Sequence, residues 1–254
     1  MPDRVPDRPA AARPAADRQP RSLSLPAALV TGYASFRAGS YVAARDRYRQ
    51  LAEGGQQPTT MVVACSDSRS APEAVFDAGP GELFVVRNLA ALVPPYAPDA
   101  TLHGVSAALE YAVLALEVRS IVVMGHGRCG GIAAALEAPV PLSATDFVGR
   151  WIASVRDLAA ELDTQARQDR QPGYGGQPVA GAAEARRLAL ERRSIEHSLA
   201  NLGTFPWVAS RQGSGSLSLH GAWFDVGLGE LHALGADGWA PVDPAGRHAH
   251  AGPT

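Results

Sequence analysis

The sequence predicts an α/β fold: a mainly parallel central β-sheet flanked by α-helices, with a helical extension before it and a strand or hairpin after it. Three observations carry this. Short β-branched runs of buried-strand type, Met61–Ala64, Leu83–Arg87 and Ser120–Met124, alternate with helix-length amphipathic stretches. The first and third runs break into small and polar residues that include both cysteines of the chain, Cys65 and Cys129. In open parallel sheets ligands bind beyond the carboxyl ends of the strands, which is where those breaks fall.

Bulk properties narrow the function. With 254 residues and 46% hydrophobic content, the chain can bury a substantial core without disulfides. A net charge of -2 provides no electrostatic footprint for nucleic acid or an anionic membrane, so neither is expected as a partner. All 23 cationic residues are Arg, which excludes a lysine Schiff base and a phosphate-binding P-loop lysine. Apolar runs fall short of the roughly 18 to 20 residues of a membrane helix, and no signal-type h-region opens the chain. A soluble cytoplasmic protein is therefore expected, in which two distant cysteines stay as thiols or bind metal rather than pair.

Taken in order, residues 1–24 are rich in Pro, Arg, Asp and Ala with few large apolar groups, so a disordered tail is expected there and a single domain over 25–240. Leu29, Tyr33 and Phe36, then Tyr41, Ala44 and Tyr48, recur every three or four residues on either side of Ala38-Gly39-Ser40. That spacing predicts two helical pieces. Pro72–Asp77 reads as a short helix, Gly79–Gly81 as a turn, and Pro94, Pro95 and Pro98 mark a loop. A helix over about Leu102–Glu117 leads into the third strand, and another runs from Gly131 to about Glu137. An amphipathic stretch over Asp146–Leu162, a Gln/Gly/Pro-rich loop over 165–181 and a helix over Ala182–Leu202 follow. Ser216–Phe224 alternates as a strand that Glu230–Leu234 can join as a hairpin, and 241–254 reads as a second disordered tail.

Two thiols and an imidazole at the strand ends suggest zinc. Cys65, His126 and Cys129 would make a three-ligand site that leaves the fourth position to water, one ion per chain. His126 and Cys129 are three residues apart across a strand-to-helix turn, a spacing that lets both reach one ion. Cys129 at a helix amino end would have its thiolate favoured by the dipole. Zinc lowers the pKa of bound water from about 15.7 to about 7, which generates an attacking hydroxide. Asp67 and Arg69, separated by one residue, point to the same side of an extended stretch and can pair. Paired, Asp67 stays ionised and can orient the water; unpaired, it can swing onto the metal as a fourth ligand.

These residues, with C-S-D-S-R at 65–69, P-G-E-L-F-V-V-R-N-L-A at 80–90 and G-H-x-x-C-G-G at 125–131, resemble the β-class carbonic anhydrases. The resemblance is dense over about 50–137 and looser to about 235. It implies reversible hydration of carbon dioxide to bicarbonate and a proton, on a zinc-dependent α/β fold that assembles as a homodimer or homotetramer. Carried over by position, the zinc ligands fall on Cys65, His126 and Cys129, and the Asp-Arg dyad on Asp67 and Arg69. A substrate-binding glutamine falls on Gln56, with Gln57 the fallback for a one-residue slip, and Phe84, Leu89 and Tyr111 match the small apolar pocket. Ser70 replaces the usual Val after the dyad. An allosteric subset of the family holds bicarbonate at a second site through Trp, Arg and Tyr. Arg87 matches that Arg, but Val62 and Phe224 stand in the other two places, so no bicarbonate-triggered closure is expected and Arg87 is expected in a structural ion pair.

Three rival readings fit some of the same residues. Gly127–Gly131 after a strand also resembles a nucleophile elbow, with Cys129 as nucleophile and His220 as base in a metal-free hydrolase. That leaves Cys65, Asp67 and Arg69 unexplained. A non-catalytic zinc site closed by Asp67 is the second rival, and hydrolysis of carbonyl sulfide or carbon disulfide on the same fold the third. Outside the hydrolase reading, His103, His197, His220 and His232 read as structural, and Arg186, Arg187, Arg192 and Arg193 as the solvated face of one helix.

Overall fold

The computed structural model describes residues 25–99, 101–137, 141–168 and 181–244. The expected tail over 1–24, the other tail beyond residue 244, and positions 169–180 of the Gln/Gly/Pro-rich loop lie outside them. The described chain divides into two compact units between Arg49 and Gln50.

The first unit holds α1 (Ala27–Ala38), α2 (Ser40–Ala43) and the start of α3 (Arg45–Gly54). The expected break falls at Gly39, whose φ of -113° and ψ of -93° leave the helical region, and a further break follows at Ala44. Packing here is aromatic. Phe36, Tyr41 and Tyr48 place their ring centroids 5.8, 6.0 and 5.4 Å apart in tilted and edge-on pairs, the arrangement that ring quadrupoles favour. Leu29, Val30 and Tyr33 of α1 are exposed.

The second unit is built on a six-stranded sheet in the order β2-β1-β3-β4-β5-β6. β1 (Thr60–Cys65), β2 (Leu83–Asn88), β3 (Ser120–His126) and β4 (Ser218–Asp225) run parallel; β5 (Glu230–Gly235) and β6 (Gly238–Pro241) complete the edge antiparallel. β1 is central and buried from Met61 to Cys65, which explains a continuous apolar run where a half-exposed strand would alternate. The period of two still sorts its side chains. Met61 and Val63 join Ile121, Val123, Leu109, Ile195 and Phe205 in the main core, while Val62 and Ala64 meet Met124, Ala222 and Val75 on the other face.

Helices fill the crossovers as expected, with differences at their ends. α4 is Pro72–Val75, and α5 (Gly104–Glu110) widens into a π-helical turn over Tyr111–Ala115, closed by the Leu116 N–H donating to the Tyr111 carbonyl at 3.0 Å. α6 is Gly130–Leu136. The stretch after Asp146 is two helices, α7 (Phe147–Trp151) and α8 (Ala153–Gln168), so positions 165–168 are helical rather than loop. α9 is Ala182–Leu202. α10 (Pro206–Gly213) and β6 are additions; the Pro206 that opens α10 is the residue type favoured at a first helical position. Among the described residues no helix is long and apolar enough to cross a membrane.

Candidate metal centre

Sheet register brings the two cysteine-bearing breaks together. β1 and β3 are adjacent parallel strands, with Ala64 opposite Met124, so Cys65 and His126 leave the sheet at the same edge. After His126 the chain turns through Arg128, whose φ of 57° is left-handed, into Cys129, the residue capping α6. One ligand atom from each of Cys65, His126 and Cys129 lies within 4.8 Å of the others, and all three residues are buried. Both thiols are free, with the sulfurs 3.9 Å apart.

The imidazole decides what this cluster is for. His126 Nδ1 lies 2.9 Å from the Gly127 carbonyl, an acceptor only, so Nδ1 carries the proton and Nε2 the lone pair. Nε2 is buried and has no hydrogen-bond partner among the described residues. A bare imidazole nitrogen facing two thiols is costly for a core and suited to a soft cation. The donor set therefore fits zinc, with the Gly127 carbonyl orienting the ring.

Protonation follows the same contacts. Cys65 is pulled well below the ordinary thiol range, chiefly by its hydrogen bond with Cys129 and against the effect of burial, with His126 adding to the pull. The same pairing, reinforced by burial, pushes Cys129 up. Burial lowers the pKa of His126, but the neighbouring Cys65 sulfur, the Gly127 carbonyl and the Asp67 charge together leave a net rise.

Asp67 and Arg69 stand beside the cluster, on a 3-10 turn over Ser68–Ser70. Arg69 donates from Nε to Oδ1 at 2.9 Å and from Nη2 to Oδ2 at 2.7 Å, and its backbone N–H donates to Oδ1 at 2.9 Å. These bonds hold the Asp67 carboxyl well below the usual carboxylate range. Asp67 Oδ2 sits 3.9 Å from His126 Nε2. Of the two arrangements open to it, the carboxylate adopts the one paired with Arg69.

The remaining candidates separate. Leu89 follows Asn88, the residue paired with Cys65 across β1 and β2, and packs in the cluster that contains Cys65 and Cys129. Phe84 lies at the other end of β2, opposite Met61, and its ring is 5.9 Å from that of Tyr111, which is half exposed. Gln56 and Gln57 line a cleft with Thr59, Arg119 and Ser218, at the amino ends of β1, β3 and β4. Within one chain, then, the structure brings together Cys65, Asp67, Arg69, His126, Cys129 and Leu89, and leaves Gln56, Phe84 and Tyr111 apart from them.

Two expectations are corrected. Among the described residues Arg87 makes no ion pair; it donates from Nε to the Cys65 carbonyl at 2.8 Å and from Nη2 to the Asp67 carbonyl at 2.6 Å, where the chain leaves β1. The arginines of α9 are only partly solvated: Arg193 is exposed and pairs with Glu196, while half-buried Arg186 forks onto Asp163, Arg187 pairs with Glu184, and Arg192 lies 5.1 Å from the Trp223 ring and 5.5 Å from the Trp239 ring. The rival hydrolase reading loses its base, because His220 sits beside Val122 in mid-sheet and bonds Ser218, away from Cys129 at the strand end.

One residue at the centre escaped the sequence reading. Glu191 of α9 is buried, accepts the Cys129 backbone N–H at 3.2 Å and the Trp223 indole N–H at 3.1 Å, and has its pKa raised by burial against those bonds. A signal was available, since Leu190, Ser194, Ile195, Ser198 and Leu202 recur around it at helical spacing on one buried face.

Comparison with known proteins follows from this geometry. The family model described as "Carbonic anhydrase" matches residues 60–231. A carbonic anhydrase of Pseudomonas aeruginosa is 37% identical over 207 residues, 81% of this chain and 86% of that protein. β carbonic anhydrase 5 of Arabidopsis thaliana, a chloroplastic protein, is 34% identical over 196 residues; the match covers 76% of this chain and spans 59% of that relative's length. Among solved structures, the β-carbonic anhydrase CcaA superposes with a TM-score of 0.72 at 31% identity, over 85% of this chain and 91% of that one. One of two tetrameric β-carbonic anhydrases from Sordaria macrospora gives a TM-score of 0.67 at 25% identity, over 85% and 99%.

Proposed function

Because the chain belongs to the carbonic anhydrase family, in its β class, we propose that it catalyses the reversible hydration of carbon dioxide to bicarbonate and a proton, with one zinc ion per chain. The observation that carries the reading is the unpartnered, buried His126 Nε2 facing the Cys65 and Cys129 sulfurs. These three residues would hold zinc, which would supply the Lewis acidity for water to ionise near neutral pH. Asp67, kept ionised by Arg69, is placed to accept a hydrogen bond from the reacting water and orient it. Arg69 also donates to the Arg128 carbonyl at 3.2 Å, which ties the dyad to the turn bearing Cys129. Leu89 supplies an apolar wall suited to an uncharged substrate. Asp67 in its Arg69-paired position favours catalysis over a permanently closed structural site.

Gln56, Phe84 and Tyr111 complete the substrate pocket from a second copy of the chain in a homodimer or homotetramer. Two observations support this. They lie away from their own chain's ligands, and Tyr111, Leu114 and Phe76 leave apolar surface exposed. Free Cys65 and Cys129 suit a reducing, cytoplasmic setting.

Stopped-flow carbon dioxide hydration against pH, on protein of measured zinc content, tests the reading. One zinc per chain and activity that rises with pH are expected, with both lost in Cys65→Ser. Protein that holds one zinc per chain yet hydrates no carbon dioxide at alkaline pH would overturn it.

A further inference from the structure

We propose that Glu191 is a positioning residue for the metal centre: its buried carboxylate holds the His126–Cys129 turn from behind, so that Cys129 faces the same point as Cys65 and His126. This rests on the zinc reading above and extends it to a residue that touches neither metal nor substrate.

The turn needs such support. Arg128 is left-handed, at φ 57°, a conformation that costs a non-glycine residue energy unless its surroundings impose it. Backbone N–H groups around a left-handed residue converge into a concavity that attracts an anion. Here the anion is internal. Glu191 Oε1 takes the Cys129 N–H at 3.2 Å, and Arg187 Nε stands 3.9 Å from Oε1. The second oxygen, Oε2, is anchored by the Trp223 indole N–H at 3.1 Å.

That indole also packs against the turn. A Cβ added to Gly127 would meet Trp223 Cζ2 at 3.1 Å, so Trp223 closes on the ligand turn directly as well as through Glu191. A carboxylate 3% exposed is expensive unless every acceptor is used. Glutamate at this point is explained by the donors it answers, and those donors belong to the ligand turn and its buttress. Outer partners of this kind govern metal affinity by orienting the ligands.

Zinc affinity of the full-length apoprotein, measured by competition with a chromophoric chelator, tests the proposal. The thiolate-to-metal charge-transfer band after cobalt substitution and the apoprotein melting temperature are read alongside. Glu191→Gln is isosteric, but its amide offers one acceptor oxygen and turns an NH2 group toward a donor, leaving either Cys129 N–H or Trp223 N–H unanswered. It is expected to weaken zinc by about 10- to 100-fold and to shift the cobalt band. Glu196→Gln is the control: Glu196 accepts the Trp239 indole N–H at 2.9 Å on the same helix, away from the ligand turn. It is expected to lower the melting temperature and leave zinc affinity and the cobalt band as in the wild type.

Wild-type affinity in Glu191→Gln, or an equal loss in Glu196→Gln, overturns the proposal. Should Glu191→Gln fail to fold, Trp223→Phe removes the anchor on Oε2 without touching Cys129, and wild-type zinc affinity there overturns it equally. If the wild-type protein itself binds no zinc, the metal reading falls, and this proposal with it.

Discussion

Arg69 grips both oxygens of Asp67 with the two arms of its guanidinium, at 2.9 and 2.7 Å. A fork of this shape fixes the carboxylate plane, which a lysine's single ammonium would not. Asp67→Asn keeps the size and loses the charge that accepts the water's hydrogen bond. Carbon dioxide hydration is expected to fall about 10²- to 10⁴-fold, with zinc content unchanged. Loss of zinc in parallel with activity would place Asp67 among the ligands instead.

Stability should report the same pair through pH. Asp67 titrates below the usual carboxylate range in the folded chain, chiefly because of the Arg69 hydrogen bonds. A depressed folded value stabilises the fold fully above the unfolded pKa of about 3.9, and that contribution is lost as pH falls through the folded value. The difference in urea midpoint between wild type and Arg69→Met should therefore stay constant from neutral pH to about 5 and shrink toward about 2. A gap that widens on acidification would contradict the assignment.

Arg87 sets the other side of the Cys65–Asp67 segment, through two bonds to main-chain carbonyls. Hydrogen bonds to charged groups contribute about 1.5–3 kcal/mol each, so Arg87→Met, which removes two, should lose about 3–6 kcal/mol in urea unfolding, and activity should decline with it. Because those carbonyls occupy Nε and one Nη, and Val62 and Phe224 stand in place of the Trp and Tyr and lack their N–H and O–H, bicarbonate should inhibit without cooperativity. Sigmoidal bicarbonate inhibition near neutral pH would show that Arg87 can leave its carbonyls.

Placing Gln56, Phe84 and Tyr111 on a second copy predicts complementation. Cys65→Ser destroys a metal group and Gln56→Ala a substrate contact, so each homo-oligomer should be nearly inactive. In a mixed oligomer the Cys65→Ser copy still offers Gln56 to its neighbour's intact metal group, and carbon dioxide hydration should return. No recovery in verified mixed oligomers would return the glutamine to its own chain.

The residues that the structure gathers into one cluster were legible because strand ends write their chemistry locally. Cys65, Asp67 and Arg69 fall within five positions, and His126 and Cys129 within four, each after an apolar run that marks the strand. What escaped depends on residues distant in sequence. Glu191 reads as one charge in a charged helix until the fold sets it behind Cys129, 62 positions away. Arg87 reads as an ion-pair candidate because sequence shows charges and hides the main-chain carbonyls that a strand end brings within its reach. Arg192 reads as solvated until Trp223 and Trp239 arrive from β4 and β6. The short β6 was missed because four residues carry little periodicity.

Two neighbouring glycines at the start of α6 give opposite expectations for one chemical change. A Cβ on Gly131 would lie 3.0 Å from both Leu89 Cγ and Ala90 Cβ. Ala90 cannot yield easily, since it is held at φ 66°. Gly131→Ala should therefore cost about 1–3 kcal/mol as overpacking and displace Leu89 from the metal group, lowering activity as well as stability. A Cβ on Gly130 meets nothing within 4 Å, and that residue is exposed in the first turn of α6. Gly130→Ala restricts the unfolded chain at no steric cost and should gain about 0.4–1 kcal/mol. Urea unfolding of the two variants separates the effects, because helix propensity changes alike in both and the contact with Leu89 and Ala90 in only one. Equal shifts of the same sign would mean that the close packing of α6 against the Leu89–Ala91 turn does not govern this end of the site.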